Sequence, residues 1–256
     1  MLQIKNLCAG YGNFPVLREV SLSCESGTIT TVIGANGCGK STLLKSAVGL
    51  SDVSSGEILL DGRSVTGMRE NLRAQNISYL AQGKNVPDVT VENLVLHGRF
   101  PYLSYPRRYR DRDRAAAWEA MKKLGIETLA DKYLRELSGG MRQNVYIAMA
   151  LCQETDVILM DEPTSYLDID RQFRLAETMQ SLAKEGRTVV AVLHDIILAL
   201  KISDQIAVME NGRIIFTGTP EEILKEKIIP RVFHVDILPV ICEGETEYVY
   251  RKVENA

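Results

Sequence analysis

A nine-residue segment near the start of the chain, Gly34–Thr42, constrains the fold more than any other part of the sequence. Its residues, Gly-Ala-Asn-Gly-Cys-Gly-Lys-Ser-Thr, match the phosphate-binding pattern G-x-x-x-x-G-K-[ST]. The segment follows a β-rich apolar run, Thr28–Ile33, and leads into a predicted helix that begins at Lys40 and ends near Leu50. A strand, a glycine-rich turn and a helix in this order predict an α/β fold built around a phosphate site.

The residue types of this loop suit an anionic ligand. Glycines let backbone N–H groups point at phosphate oxygens, and the helix N-terminus adds positive potential. We expect Lys40 to reach the β- and γ-phosphates of a nucleotide and the Ser41 hydroxyl to bind Mg²⁺. Cys38 has two interpretations, a redox-sensitive thiol or, as we favour, a small residue whose N–H faces phosphate. The predicted nucleotide contacts of the loop are Asn36, Gly37, Cys38, Gly39, Lys40, Ser41 and Thr42.

A second nucleotide signal is a pair of carboxylates after a buried strand. Four aliphatic residues, Val157–Met160, precede Asp161 and Glu162. A strand that ends in this way would bring Asp161 beside the phosphate loop, where it can hold Mg²⁺ directly or through water. Glu162 would then polarise the water that attacks the γ-phosphate.

The order of strands and helices predicts how the chain is organised. Continuous apolar runs recur in the last third at Thr188–Leu193 and Ile206–Met209, with a helix predicted over Arg171–Lys184. Such runs, separated by helices, are typical of parallel strands buried on both faces. The middle of the chain is predicted to be helical, with Trp118, Met121 and Leu124 spaced by three residues in one helix. Another predicted helix places Val145, Ala148 and Cys152 on one face.

Composition excludes several classes of protein. The chain has 256 residues, a formal net charge of −3 and 45% apolar residues, which fits a globular protein with a full core. Its longest unbroken apolar run has eight residues, Val145–Cys152, whereas a membrane-spanning helix needs about 20. The N-terminus has no signal-peptide pattern, and the five cysteines are widely spaced without a CxxC pair, so we expect a reducing cytosol. The mild negative charge gives no reason to expect a nucleic-acid partner.

A third motif, Leu137-Ser138-Gly139-Gly140-Met141, indicates a family. Ser138 is a typical helix N-cap, and the glycines expose backbone N–H groups, so this is a second anion-binding helix start. Together with the motifs above it makes residues 1–225 resemble the ATP-binding subunits of ABC transporters. The resemblance implies a P-loop NTPase (RecA-like) core with an antiparallel β subdomain and a helical insert. It also implies that Ser138, Gly139 and Gly140 face the ATP held by another subunit.

The resemblance assigns further roles by position. Tyr11 corresponds to the aromatic that stacks on adenine, and Gln82 to the glutamine that joins the nucleotide site to the insert and senses Mg²⁺ or the attacking water. Asp168 ends the loop that crosses the subunit interface, and His194 corresponds to the histidine that contacts the γ-phosphate. The implied catalytic set is Glu162, His194, Gln82 and Lys40, and the implied metal set is Ser41, Gln82 and Asp161.

Three positions depart from the family pattern. Met141 stands where glutamine is usual, Tyr166 replaces a small residue of the cross-interface loop, and Asn144 takes a position that is often basic. The Ser138 and Gly140 donors survive these changes, so ATP-driven closure is expected to persist. The rate of hydrolysis is the property they put in question.

Within the family, His97-Gly98-Arg99-Phe100-Pro101-Tyr102-Leu103 resembles a segment of importers for iron-siderophores, haem and vitamin B12. The stretch from Arg99 to Arg114 carries six Arg against two Asp, a local charge of +4. It is interpreted either as a solvated loop or as part of the surface that receives a helix of the membrane subunit near anionic headgroups.

The resemblance implies a full assembly. We expect a homodimer of ATPase subunits, two copies of a polytopic permease and, indirectly, a periplasmic or lipid-anchored binding protein, at the cytoplasmic face of the membrane. Alternatives are a non-transport ABC ATPase such as an iron–sulfur assembly scaffold, an importer of another metal ion, and a binding-only regulatory module. One ABC domain is expected, with its core at 1–88 and 154–229, its insert at 89–153 and a short extension at 230–256.

Overall fold

Strands and helices alternate along the part of the chain that the computed structural model describes, residues 1–82, 86–165 and 167–252. The strands are β1 (Leu2–Tyr11), β2 (Phe14–Cys24), β3 (Ile29–Gly34), β4 (Asp52–Leu60), β5 (Arg63–Ser64), β6 (Ile77–Leu80), β7 (Val157–Asp161), β8 (Thr188–Val192), β9 (Gln205–Glu210), β10 (Arg213–Gly218), β11 (Val235–Cys242) and β12 (Glu245–Lys252). The helices are α1 (Lys40–Ala47), α2 (Glu70–Asn76), α3 (Val91–Leu96), α4 (Asp111–Lys123), α5 (Gly139–Cys152), α6 (Ile169–Lys184), α7 (Ile196–Ile202), α8 (Pro220–Lys225) and α9 (Ile228–Phe233). Short 3₁₀ segments lie at His97–Tyr102, Glu127–Leu129 and Leu134–Glu136.

A six-stranded sheet in the order β10-β9-β3-β8-β7-β6 forms the centre of the molecule. All neighbours pair in parallel except β10, which runs antiparallel to β9. Alternate residues of its strands enter different apolar clusters: Ile158 and Met160 of β7 enter one, and Val157 and Leu159 enter the other. Because both faces are buried, the strands are continuously apolar, which confirms the predicted parallel α/β core.

A four-stranded antiparallel sheet, β2-β1-β4-β5, packs over one side of this core. Register shifts let β1 continue past Leu7, to Gly10 against β4 and to Tyr11 against β2. The antiparallel β subdomain of the predicted fold class is therefore present.

The chain between β6 and β7 is helical, as predicted. Helices α3, α4 and α5 pack on one another, and Val145, Ala148 and Cys152 of α5 are fully buried. Only part of the predicted apolar face of α4 is buried in the core. Met121 is buried, but Trp118 is 44% exposed. Leu124 lies just beyond the helix, as its C-cap.

Three local features differ from the sequence prediction. Helix α1 ends at Ala47 rather than near Leu50, because Gly49 takes a left-handed φ of 72° and the Leu50 N–H bonds back to the Lys45 carbonyl at 2.9 Å. Helix α2 and strand β10 have no counterpart in the prediction. The division into segments 1–88, 89–153, 154–229 and 230–256 stays a prediction.

The last described residues form a hairpin, β11 and β12, which is a separate two-stranded sheet. It packs on the core through Ile237, which is 3% exposed, and Tyr248. Among the described residues, we find no helix with the length and apolar character needed to cross a membrane.

Candidate functional site

The phosphate-binding motif folds into a tight loop between β3 and α1. Gly39 is the N-cap of α1 with φ 110°, and Gly37 has φ 77°, conformations that L-residues with side chains rarely adopt. The Cys38 N–H bonds to the Ala35 carbonyl at 3.3 Å, and the Leu43 N–H bonds to the Gly39 carbonyl at 2.9 Å. The glycines at these spacings are therefore required by the turn itself.

Lys40 folds back over this loop. Its Nζ donates to the carbonyls of Gly34, at 2.8 Å, and Ala35, at 2.9 Å, and the residue is 5% exposed. The Cys38 Sγ lies 4.0 Å from Lys40 Nζ, and burial raises the pKa of the Cys38 thiol. A buried, protonated thiol is unreactive, which favours the small-residue interpretation of Cys38 over a redox role.

The loop forms one wall of a cavity of about 450 Å³. The opposite side is formed by Gln82, Glu162 and His194, which come from three separate parts of the chain. We call this space the phosphate-loop cavity. Its lining residues are Val16, Asn36, Gly37, Gly39, Lys40, Ser41, Thr42, Gln82, Glu162 and His194.

Asp161 lies at the end of β7 beneath the loop and is 1% exposed. Its Oδ1 accepts a hydrogen bond from Ser41 Oγ at 2.9 Å, and its Oδ2 accepts one from Tyr79 Oη at 3.1 Å. Burial raises the pKa of Asp161, which these two hydrogen bonds partly offset. Burial and the Asp161 charge in turn raise the pKa of Tyr79. The Tyr79 contact was not predicted, since no local pattern links two residues on neighbouring strands.

Glu162 is held on both carboxylate oxygens. His194 Nε2 lies 2.6 Å from its Oε1, while Gln82 Nε2 and Ser165 Oγ both donate to its Oε2, the latter at 3.3 Å. The backbone of Glu162 is left-handed, with φ 52°, which is uncommon for a residue with a side chain. The structure thus brings together the four residues predicted to be catalytic, Lys40, Gln82, Glu162 and His194, around one cavity.

The remaining predicted contacts lie elsewhere. Of the described residues, Ser138, Gly139, Gly140, Asp168 and Tyr11 are not among those that line the phosphate-loop cavity. Ser138 is the exposed N-cap of α5 and accepts the Met141 N–H at 3.3 Å. Asp168 is the N-cap of α6 and accepts the Arg171 N–H at 2.9 Å. Tyr11, at the end of β1, is 42% exposed.

Arg171 joins these two helix starts. Its guanidinium lies against Gly140, where a methyl group would collide with Nη1, and its Nε is 3.6 Å from Asp168 Oδ2. We call Ser138, Gly139, Gly140 and Asp168, joined by Arg171, the α5–α6 surface. Sequence reasoning missed Arg171, because no motif marks its position.

The positions that depart from the family pattern can now be placed. Met141 is half-buried and packs against the main core. Asn144 lines a cavity of about 360 Å³ together with Lys123, Arg171 and Arg174. Basic side chains from other helices therefore surround the position where a basic residue is usual. Tyr166 lies outside the described residues.

The basic stretch that begins at Arg99 is only partly solvated. Arg99 is 6% exposed and bonds to Asp113 at 3.3 Å and Glu154 at 2.7 Å. Arg107 stacks over Phe100, with 4.5 Å from its guanidinium carbon to the ring centroid. Arg99 therefore ties the starts and ends of insert helices together, and the solvated-loop interpretation does not apply to it.

The oxygen donors at the phosphate loop, Ser41 in the lining of the cavity and the buried Asp161 bonded to it, suit a hydrated Mg²⁺. Ser41 and Asp161 supply a hydroxyl and a buried carboxylate 2.9 Å apart, and hard oxygen ligands are those that Mg²⁺ prefers. The described residues hold no cluster of three or more His, Cys, Asp or Glu side chains that could cage a metal. Mg²⁺ usually keeps several waters and binds through one or two protein oxygens plus phosphates, so this sparse set fits it.

The fold and the cavity together define a P-loop nucleoside triphosphatase with an inserted helical region. Comparison with known proteins identifies the family: residues 17–165 match the family model of the ABC transporter domain. The petrobactin import ATP-binding protein FpuD of Bacillus anthracis is 38% identical over 97% of this chain and 90% of its own length. The ferric enterobactin transport ATP-binding protein FepC of Escherichia coli (strain K12) is 39% identical over 91% of this chain and 86% of its own length.

A solved structure agrees with this assignment. The dimeric structure of MJ0796, a bacterial ABC transporter cassette, is 27% identical, with a TM-score of 0.76, and covers 86% of this chain and 99% of that one. The chain belongs to the ABC transporter family and is an ATP-binding, ATP-hydrolysing cassette.

Proposed function

We propose that this chain is the ATP-hydrolysing subunit that powers import of an iron chelate (a siderophore or haem) or a related metal complex such as cobalamin. The observation that carries the proposal is the similarity to FpuD and FepC, at 38% and 39% identity over nine tenths of the chain or more. FpuD is named for petrobactin import and FepC for ferric enterobactin transport. These names favour iron-chelate uptake over an iron–sulfur assembly scaffold or an importer of another metal ion.

Binding of ATP begins at the phosphate loop. The backbone N–H groups from Asn36 to Gly39 and the start of α1 receive the phosphates. Lys40, now bonded to the Gly34 and Ala35 carbonyls, is placed to turn its ammonium towards the β- and γ-phosphates. Ser41 and Asp161 are the residues that would hold Mg²⁺, whose charge, when bound, offsets the negative charge between these phosphates. Tyr11 is exposed and free to stack on the base.

Hydrolysis depends on the opposite side of the cavity. Glu162 orients and polarises the attacking water, because its carboxylate is the base that faces the loop across the cavity. His194, whose Nε2 contacts Glu162 at 2.6 Å, holds the γ-phosphate when ATP is bound. Gln82 donates to the same carboxylate and precedes the helical insert in the sequence, so it would transmit the state of the nucleotide to the insert.

Two copies of the chain act together. Ser138 and Gly139 are exposed and point no groups at the cavity of their own chain, which supports their contact with the ATP of a second copy. A head-to-tail homodimer would then enclose two ATP molecules between phosphate loops and α5–α6 surfaces. ATP favours the closed dimer only by its greater affinity for that state, and hydrolysis with phosphate release reopens it.

The partners follow from the transport role. Two copies of a polytopic permease would form the path across the membrane, and a periplasmic or lipid-anchored binding protein would deliver the cargo. The ATPase would then work at the cytoplasmic face. Closure of the dimer would pull the permease subunits through their coupling helices, which the insert receives.

The test is reconstitution. The chain and its permease are placed in proteoliposomes with the binding protein, and uptake of radioactive iron–siderophore is measured with ATP inside. We expect uptake that depends on ATP and is lost with Glu162→Gln in the same complex. Uptake of a free metal ion instead would reassign the cargo, and a chain that does not copurify with any polytopic membrane protein would contradict the proposal.

A further inference from the structure

The proposed function assigns no role to the hairpin β11–β12. Its strands pair in register over their full length, from Val235 opposite Lys252 to Cys242 opposite Glu245. The hairpin is anchored to the core by Ile237 of β11, while β12 lies along helix α7. Strand β12 is therefore placed to restrain helix α7.

The contact at the C-terminal end of α7 is an ion pair. Lys201 Nζ bonds to the Glu247 carboxylate of β12, and the two side chains are 27% and 39% exposed. The next residue of β12, Tyr248, packs against the apolar cluster to which Ala199 and Leu200 of α7 belong. One turn of the helix is thus tied to β12 by a charge contact and an aromatic ring.

The N-terminal end of α7 lies near Tyr250 of β12. Tyr250 is 52% exposed, and burial of the rest of the residue, followed by the charge of Asp195, raises the pKa of its hydroxyl. Asp195 is the N-cap of α7, and its Oδ1 accepts the Leu198 N–H at 3.1 Å. Strand β12 therefore has its ion pair at the C-terminal end of this seven-residue helix, whose N-terminal end is capped by Asp195.

Helix α7 follows His194 directly in the chain. Strand β8 ends at Val192, so only Leu193, His194 and Asp195 connect the fixed strand to the helix. Any shift of α7 along its axis would move His194 relative to Glu162, from which its Nε2 is now 2.6 Å. The position of this imidazole depends on where α7 is held.

Packing alone does not hold α7 against β12. A cavity of about 580 Å³ lies between them and extends to α6 and α8, lined among others by Phe173, Leu200, Pro220 and Tyr248. Ile196, Leu198, Ala199, Leu200 and Ile202 are buried in the core, so Glu247 is the polar contact that joins α7 to β12 on the side that faces this cavity.

We propose that the hairpin β11–β12 braces α7 and thereby sets the position of His194, with Glu247 as a positioning residue for ATP hydrolysis. The proposal rests on the role proposed above for His194. Glu247 does not line the phosphate-loop cavity, so it acts through the helix.

The test is steady-state ATPase kinetics of the full chain. Glu247→Ala is expected to lower kcat about fivefold and to leave KM for ATP within about twofold, the loss expected for one partly buried ion pair. Glu119→Ala, on the insert with Lys122 3.8 Å away, is the matched control and should keep the wild-type rate.

A charge-swap rescue and a double-mutant comparison distinguish a positioning role of Glu247 from a loss of the folded structure. The charge swap Lys201→Glu with Glu247→Lys is expected to return kcat to within about twofold of wild type. In a His194→Ala background, Glu247→Ala is expected to cause no further loss. A failed rescue, an unchanged kcat for Glu247→Ala, or a full fivefold loss without His194 would each overturn the brace while leaving the proposed function intact. A wild-type rate for His194→Ala itself would refute the role of His194 and the brace with it.

Discussion

The phosphate-loop cavity and the α5–α6 surface are both built around a helix start, but they differ in completeness. The cavity collects its polar groups from the loop after β3, the start of α1, the segments after β7 and β8, and Gln82, so Glu162 and the neighbouring Asp161 already have partners in the same chain. The α5–α6 surface presents exposed Ser138 and Gly139, capped only by their own helix. In the proposed homodimer, the cavity would hold the nucleotide and the α5–α6 surface would contact the nucleotide of a second copy.

The largest expected effect is at the phosphate-loop cavity. Glu162→Gln keeps the shape of the side chain but removes the base, so we expect kcat to fall about 1,000-fold while ATP affinity stays within about twofold. Phosphate release and titration with a fluorescent nucleotide measure the two quantities. Asp170→Asn, an exposed carboxylate paired with Arg174, is the control. Normal hydrolysis by Glu162→Gln would remove Glu162 from its assigned role.

The second prediction concerns the α5–α6 surface. Ser138→Arg puts a bulky side chain where the partner's γ-phosphate would lie, and we expect kcat to fall about 100-fold, as when a transition-state donor is lost. Since Ser138 is remote from the cavity of its own chain, nucleotide affinity of the monomer should not change. A matching loss of monomer affinity would mean that both regions serve one nucleotide in one chain.

The predictability of the two regions also differs. The phosphate loop and the strand before Asp161 were predicted because short spacings encode a local turn, a helix start and a buried strand. Tyr79 was not, because its contact with Asp161 joins residues 82 positions apart. Arg171 was missed for the same reason: only the packing of α6 on α5 brings it to Gly140. The spacing of Trp118 predicted a position on the core face of its helix, but the side chain is 44% exposed. Periodicity alone cannot tell which side of a helix lacks a neighbour.

A third prediction concerns the contact between His194 and Glu162. His194→Ala is expected to lower ATPase activity tenfold or more, the loss of about one hydrogen bond to a charged group, while ADP affinity barely changes because ADP has no γ-phosphate. ATPase assays and calorimetric titration with ADP test it. An equal loss of ADP affinity would show that the histidine only supports the fold.

The smallest expected effect concerns the contact between Gly140 and Arg171 in the α5–α6 surface. Gly140→Ala adds a methyl group that meets Arg171 Nη1, so the guanidinium must move, and we expect kcat to fall about fivefold. With Arg171→Ala in the same chain, the added methyl group should cost less than twofold. A loss of the same size with and without Arg171 would contradict the contact.

The central claim is that the α5–α6 surface of one copy completes the cavity of another. Its most direct measurement is the mass of Glu162→Gln, a chain of 28.5 kDa, by light scattering with Mg²⁺ and ATP. We predict a dimer for Glu162→Gln and a monomer that still binds ATP for Glu162→Gln with Ser138→Arg. Dimers of both variants, or a monomer of Glu162→Gln at saturating ATP, would contradict the claim.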